Sequence, residues 1–408
     1  MSTTRVLAVT LAAVLLAWPS AGAQASTSGD GSALSGEPSA TGPSSTGLSS
    51  VDTAVTVSSG SSLSSNVALS SVPALVGAIL AEGALGSSLF GVPGRGPSSS
   101  GPQDVSATFP PELGPAGSGA ELRSVEHVTG DLHRFEVYSP SMDRIVRNEI
   151  LLPGGAANTA ARPTFYLLMG ADGAHSGWTW ARTTDYESFF ADRQVNVVTP
   201  IGSVSSMQTN WYDADPVLGD NQWGTYLVNE LPEIVDTHFH GSGRDAVGGV
   251  SMSGGPAFDL AAIAPDRFVA AASYSGCPAT EGLFGSSFTR AAVTMNGGTP
   301  DNMWGSAFDP AWAAHNPAAN LDRLAGTALF VSAAHGIPGE IDNQPSSRPL
   351  NPIETASYVC SDWFVDHARS FGHEVDWYPL AEGAHSWGLF EHQMRTSWRT
   401  IGPALGVE

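Results

Sequence analysis

Asp245-Ala-Val-Gly-Gly-Val-Ser251-Met-Ser-Gly-Gly-Pro256 reads as a short apolar strand, a glycine-rich turn carrying a serine, and a helix over Ala257–Ala264. A serine hydroxyl is a poor nucleophile unless a sharp turn presents it beside a base and near backbone N–H donors. Such a strained turn tolerates only small neighbours. Gly249-Val-Ser251-Met-Ser253 departs from Gly-x-Ser-x-Gly at its last place, with Gly254 one residue late. Ser253 is therefore a rival nucleophile. Ser251 is preferred because it directly follows the apolar strand.

Outward from this turn, buried strands are expected at Phe135–Tyr138 and Asn148–Leu152, as an antiparallel entry pair. Further strands are expected at Thr164–Leu168, Val195–Thr199, Phe268–Ser273, Ala328–Ala333 and Glu374–Pro379. Helical patterns fall at Asp185–Arg193, Gln222–His240, Ile353–Phe371 and Glu391–Trp398. Strands alternating with helices imply an α/β domain, its mainly parallel sheet covered on both faces. Ligands bind such sheets at the carboxyl ends of the strands. Ser251 lies at one of them.

A serine nucleophile needs a base and an acid that orients the base. In Glu382-Gly-Ala-His385-Ser-Trp387, His385 follows the last apolar strand in a glycine-bearing loop, the base's place when the chain order is Ser, acid, His. His335 is the next candidate; His367 and His373 read as helix-surface and helix-end residues. For the acid, Glu340 and Asp342 follow the penultimate strand, while Glu354 opens a helix whose dipole favours a carboxylate there in any case. The residues alone leave these three open.

The rest of the 408-residue chain limits the setting. Arg5, an apolar run over Val6–Trp18 and small residues up to Ala25 have the form of a secretory signal peptide, so residues 1–25 are expected to be removed on export. Residues 26–120 are dominated by Ser, Gly, Ala and Pro, a composition that cannot offset chain entropy by apolar burial, so a disordered linker is expected. Within it Val72–Phe90 is more apolar and could form a short helix or meet a lipid surface. Residues 121–408 suit one globular domain. The chain has no lysine, 17 basic residues, and a formal net charge of −22, which argues against nucleic acid or anionic headgroups as partners. In an exported chain the two cysteines, Cys277 and Cys360, are expected to form a disulfide. No spacing suggests a metal site.

Several stretches, in this order, resemble the antigen-85-type mycolyltransferases. They are Val137-Tyr-Ser-Pro-Ser-Met142, Tyr166-Leu-Leu-Met-Gly170, Pro200-Ile-Gly-Ser-Val-Ser-Ser206, Asn210-Trp-Tyr212, Glu230-Leu-Pro232, Gly249-Val-Ser-Met-Ser-Gly254 and Gly383-Ala-His-Ser-Trp387. The resemblance runs from about Val128 to Met394. It implies an α/β-hydrolase fold with Ser251 as nucleophile and His385 as base. It favours Glu354 as the acid, because Pro352-Ile-Glu354 with Phe364 downstream matches the family's pattern. It places the oxyanion hole at the N–H groups of Met252 and Ala171, and Trp387 against the substrate. Where family members carry an Asp and an Arg that hold trehalose, this chain has Met169 and Asp172; these two are expected at the substrate, with sugar contacts that must differ or with a different acceptor. Ala333 stands where some members have a free cysteine. A Cys277–Cys360 bridge would instead pin the loop after Ser275 to the helix bearing Glu354 and so position the acid.

The implied activity is transfer of a mycolyl group from a trehalose mono-acyl ester to a second such ester or to cell-wall arabinan. It runs through an acyl-serine, without cofactor, in the cell envelope. Two rivals share the scaffold: a secreted carboxylesterase, in which water is the acceptor, and a non-catalytic wall-binding relative. A protein hydroxyl is a further possible acceptor.

Overall fold

Leu167 and Leu168 point to opposite faces of one strand, and both are wholly buried. That pattern recurs along the centre of the sheet and is what a strand covered on both sides requires. The computed structural model describes residues 117–155, 158–343 and 350–407. Among them one nine-stranded sheet runs through the domain. Its strands are β1 (Glu121–Thr129), β2 (Leu132–Ser139), β3 (Arg144–Leu151), β4 (Arg162–Leu168), β5 (Asn196–Ile201), β6 (Gly241–Val250), β7 (Phe268–Tyr274), β8 (Ala328–Ala334) and β9 (Val375–Leu380). Their order is β1-β2-β3-β5-β4-β6-β7-β8-β9. The six strands from β5 to β9 are parallel, and β1, β2 and β3 extend one edge antiparallel.

Five helices of eight or more residues are described: α1 (Leu231–His238), α2 (Gly254–Ile263), α3 (Gly282–Thr294), α4 (Pro352–Ser370) and α5 (Trp387–Leu405). Tyr166, Leu168 and Val247 face a core built with Leu231, Phe258 and Phe364 from α1, α2 and α4. Phe165, Leu167 and Ala246 face the other core, with Leu389, Met394 and Trp398 of α5. The parallel sheet with helices on both faces is therefore as the sequence pattern predicts. The chain runs from β4 to β5 on one side, then crosses back past β4 to β6, so the strand order reverses at β4. The carboxyl ends of β4 and β6 flank that switch point, where open α/β sheets bind ligands.

The differences have local causes. β1 escapes the pattern because it is an edge strand exposed almost throughout, with no face to alternate. α3 escapes it because Gly282, Gly285 and two serines lower its helix signal. The helix expected over Gln222–His240 is broken by a π-helical turn, Tyr226–Glu230, just ahead of Pro232. α5 begins at Trp387, four residues before the expected start, because Ser386 caps it by accepting from the Leu389 N–H at 3.3 Å. The signal peptide, Val72–Phe90 and all but the last residues of the serine-rich arm lie outside the described residues.

Cys277, in the loop after β7, is bonded to Cys360 in α4, 83 residues away. Replacing Cys360 by Ser removes this cross-link, and is expected to lower unfolding stability by about 2–5 kcal/mol, read by chemical denaturation. Positioning of Glu354 by the bridge predicts in addition that acyl transfer falls under conditions where the variant is still folded.

Candidate active site

The turn after β6 is built for a serine. Val250 is extended (φ −99°, ψ 141°) and Ser251 is left-handed (φ 57°), a conformation that costs a side-chain-bearing residue about 1–3 kcal/mol. A short 3-10 turn, Ser251–Ser253, then leads into α2. The glycines around it are forced by close approach. A Cβ at Gly249 would lie 1.9 Å from the Ser253 carbonyl oxygen, and one at Gly254 would lie 2.8 Å from the Gly276 Cα.

His385 sits beyond β9, also left-handed (φ 57°). The Ser251 hydroxyl donates to its Nε2 at 2.9 Å. Its Nδ1–H donates to Glu354 Oε2 at 2.7 Å. The imidazole side chain is 12% exposed and the Glu354 side chain 0%. The second oxygen of Glu354 accepts from the Ala334 N–H at the end of β8 (2.6 Å) and from the Ser275 hydroxyl after β7 (2.8 Å). Gln393 of α5 donates in turn to Ser275 at 3.0 Å. A wholly buried carboxylate needs such partners in place of water.

Gly170 packs on the Ser251 turn, where a Cβ would lie 3.4 Å from that of Ser251. The next residue, Ala171, is held by its carbonyl, which accepts from the Ser205 N–H (2.9 Å) and from Asn296 (3.0 Å). Met252 is buried, and it shares an apolar cluster with Ala171, Trp211 and Trp304. The Trp387 ring stands edge-on to Trp180 at 5.3 Å, and Phe390 meets the His385 ring edge-on at 5.0 Å.

The other sequence candidates are occupied elsewhere. Ser253 is wholly buried; its hydroxyl donates to the Met169 carbonyl and accepts from Gln208 at 2.9 Å. Met169, expected against the sugar, is 2% exposed and packs into the core beneath, so its side chain has no open surface to offer a substrate. Asp172 is exposed and accepts from both the N–H and hydroxyl of Ser176. Glu340 is exposed. Asp342 is buried, with its oxygens on Gly339, Ala384 and Ser386 rather than on an imidazole. His335 lies against Tyr358, ring centroids 4.0 Å apart.

Two contributors were missed. Ser275 carried no sequence signal. Asn351 did carry one, since Asn before Pro is a helix-start pattern. Its side chain caps α4 at Ile353 and Glu354, and also donates to the Ala384 carbonyl at 2.9 Å.

Comparisons with known proteins bear on the family and the fold. The Esterase family model matches residues 139–401. The diacylglycerol acyltransferase/mycolyltransferase Ag85C of Mycobacterium avium is 30% identical over 318 residues, 71% of this chain and 86% of the relative. Ag85B of Mycobacterium intracellulare, of the same description, is 29% identical over 317 residues, 74% and 92% of the two chains. Among solved structures, Mycobacterium tuberculosis MPT51 superposes with a TM-score of 0.52 at 26% identity, covering 65% of this chain and 96% of its own. An S-formylglutathione hydrolase from Agrobacterium tumefaciens reaches the same TM-score at 15% identity, a likeness of fold.

Replacing Ser253 by Ala leaves the Met169 carbonyl without that donor, and should cost about 1–3 kcal/mol in denaturant unfolding. Covalent labelling by a fluorophosphonate should still fall on Ser251, read by peptide mass spectrometry.

Proposed function

This chain belongs to the antigen-85-type mycolyltransferases, within the esterase family, and from that premise we propose that it is a secreted transferase of the cell envelope. It moves a mycolyl group from trehalose monomycolate to a second trehalose monomycolate or to cell-wall arabinan. The family supports the acyl group and its acceptors, and the observation that supports the acyl-serine chemistry is the unbroken hydrogen-bonded run from the Ser251 hydroxyl through His385 to the buried Glu354.

In the first half-reaction the Ser251 proton passes to His385 Nε2 as Oγ attacks the ester carbonyl carbon. Negative charge gathers on the carbonyl oxygen, where the N–H groups of Met252 and Ala171 receive it. Preorganised donors of this kind contribute as much to rate as the base. The carbon–oxygen bond to trehalose then breaks, and His385 returns the proton to the departing sugar oxygen. The product is an ester between Ser251 and the acyl chain.

In the second half-reaction a sugar hydroxyl takes the place of the departed trehalose. His385 removes its proton as its oxygen attacks the acyl-serine, and the same proton goes back to Ser251 Oγ when that ester breaks. Throughout, Glu354 keeps Nδ1–H pointed at itself, so that Nε2 faces the serine, and it stabilises the imidazolium formed in each half. Trp387 walls the acyl or sugar side of the site. Residues 1–25 act as the export signal and 26–120 as a tether between the envelope and the catalytic domain.

The test is a product assay on the full chain with trehalose monomycolate, beside Ser251→Ala, read by mass spectrometry. Diester is expected from the unmutated chain, with turnover falling by about 10⁴-fold or more in the variant. Free mycolic acid without diester would make the protein a carboxylesterase. No turnover by either would leave a binding protein.

A further inference from the structure

Asp342 ends a short 3-10 turn, Glu340–Asp342, beyond β8. It is 2% exposed. One carboxylate oxygen accepts from the Ala384 N–H at 2.7 Å and from the Ser386 hydroxyl at 2.6 Å; the other accepts from the Gly339 N–H at 2.8 Å. Ala384 and Ser386 are the two neighbours of His385. We propose that Asp342 is a positioning residue for the imidazole, one that holds the backbone N–H before His385 and the side-chain hydroxyl after it, and never the ring. This rests on the reading of Ser251 and His385 as nucleophile and base.

Three observations converge on it. First, the left-handed φ of His385 is one that a residue with a Cβ adopts uncommonly, so neighbouring contacts hold it. Those contacts are the Asp342 clamp, the Asn351 side chain on the Ala384 carbonyl (2.9 Å), and the Gly383 N–H on the Ile337 carbonyl (2.6 Å). Second, the ring has to satisfy two hydrogen bonds at once, 2.7 Å to Glu354 and 2.9 Å to Ser251, which leaves little tolerance in where its Cα sits. Third, among the described residues the partners of Asp342 are two N–H groups and a hydroxyl, with no guanidinium. A buried carboxylate held only by neutral donors is an inefficient way to gain stability, whereas a single oxygen shared between residues 384 and 386 is an effective way to fix what lies between them.

The test uses the full chain and a fluorophosphonate probe, whose fluoride is displaced by Ser251 Oγ. Labelling is followed by intact-mass spectrometry over a range of probe concentrations, which separates the maximal rate from probe affinity; thermal melts accompany each variant. Asp342→Ala is expected to lower the maximal rate by about tenfold to a hundredfold with affinity unchanged. Asp342→Asn keeps an oxygen towards Ala384 and Ser386 at the loss of the Gly339 bond, and should recover most of that rate. Ser386→Ala removes one of the two flanking bonds and should fall between. A wild-type rate for folded Asp342→Ala would overturn the proposal, as would Asp342→Asn labelling as slowly as Asp342→Ala. If Asp342→Ala melts below the assay temperature, Ser386→Ala decides: a slower maximal rate supports the clamp and a wild-type rate overturns it. A wild-type chain that takes up no probe would overturn the reading of Ser251 itself, and the positioning role with it.

Discussion

A carboxylate with no exposed surface sets the terms for this structure. Glu354 has given up all hydration, and desolvation of that order is tolerated only where hydrogen bonds replace the lost water. The replacements come from the end of β8, from the loop after β7 and from His385 beyond β9. Each of those elements must therefore end at the right height. Satisfying one buried carboxylate ties three neighbouring strand ends together, and His385 is placed by the same requirement.

Around this centre, polar side chains that resemble catalytic groups in sequence hold the backbone instead. Ser253 ties the turn of the proposed nucleophile to the Met169 carbonyl, one residue before Gly170 packs on Ser251. Asn351 caps the helix carrying Glu354 and, with the same side chain, reaches the loop carrying His385. The strain visible as left-handed φ at Ser251, Ser275 and His385 is thus matched by short-range ties beside each residue, which is how a site stores an unfavourable geometry without relaxing it.

How much of this was legible follows from how local each signal is. The serine turn and the histidine loop announce themselves because glycine and small residues must stand within a few positions of the functional side chain. The central strands do so because burial on both faces leaves unbroken apolar runs. β1 and α3 do not, one lacking a buried face and the other diluted by glycine and serine. Choosing Glu354 over Asp342 is a tertiary matter: both are buried and both touch the histidine loop. What separates them is which atoms of that loop they meet, and Ser275 and Ala334 enter the choice only once the strands are side by side. Resemblance to a family supplied what residue chemistry left open. The same resemblance put Met169 and Asp172 against the sugar, where the fold buries one side chain and leaves the other bonded to Ser176.

The parts of the site lie far apart along the chain. Ser251 and His385 are 134 residues apart, and Ser275 and Gln393 are 118 apart. Contacts across such distances close long loops, at a cost in chain entropy. No fragment ending before α5 contains His385, Glu354 and the Gln393–Ser275 tie together. The hydrogen-bonded set around Glu354 and Ser275 is therefore complete only with the final helix in place.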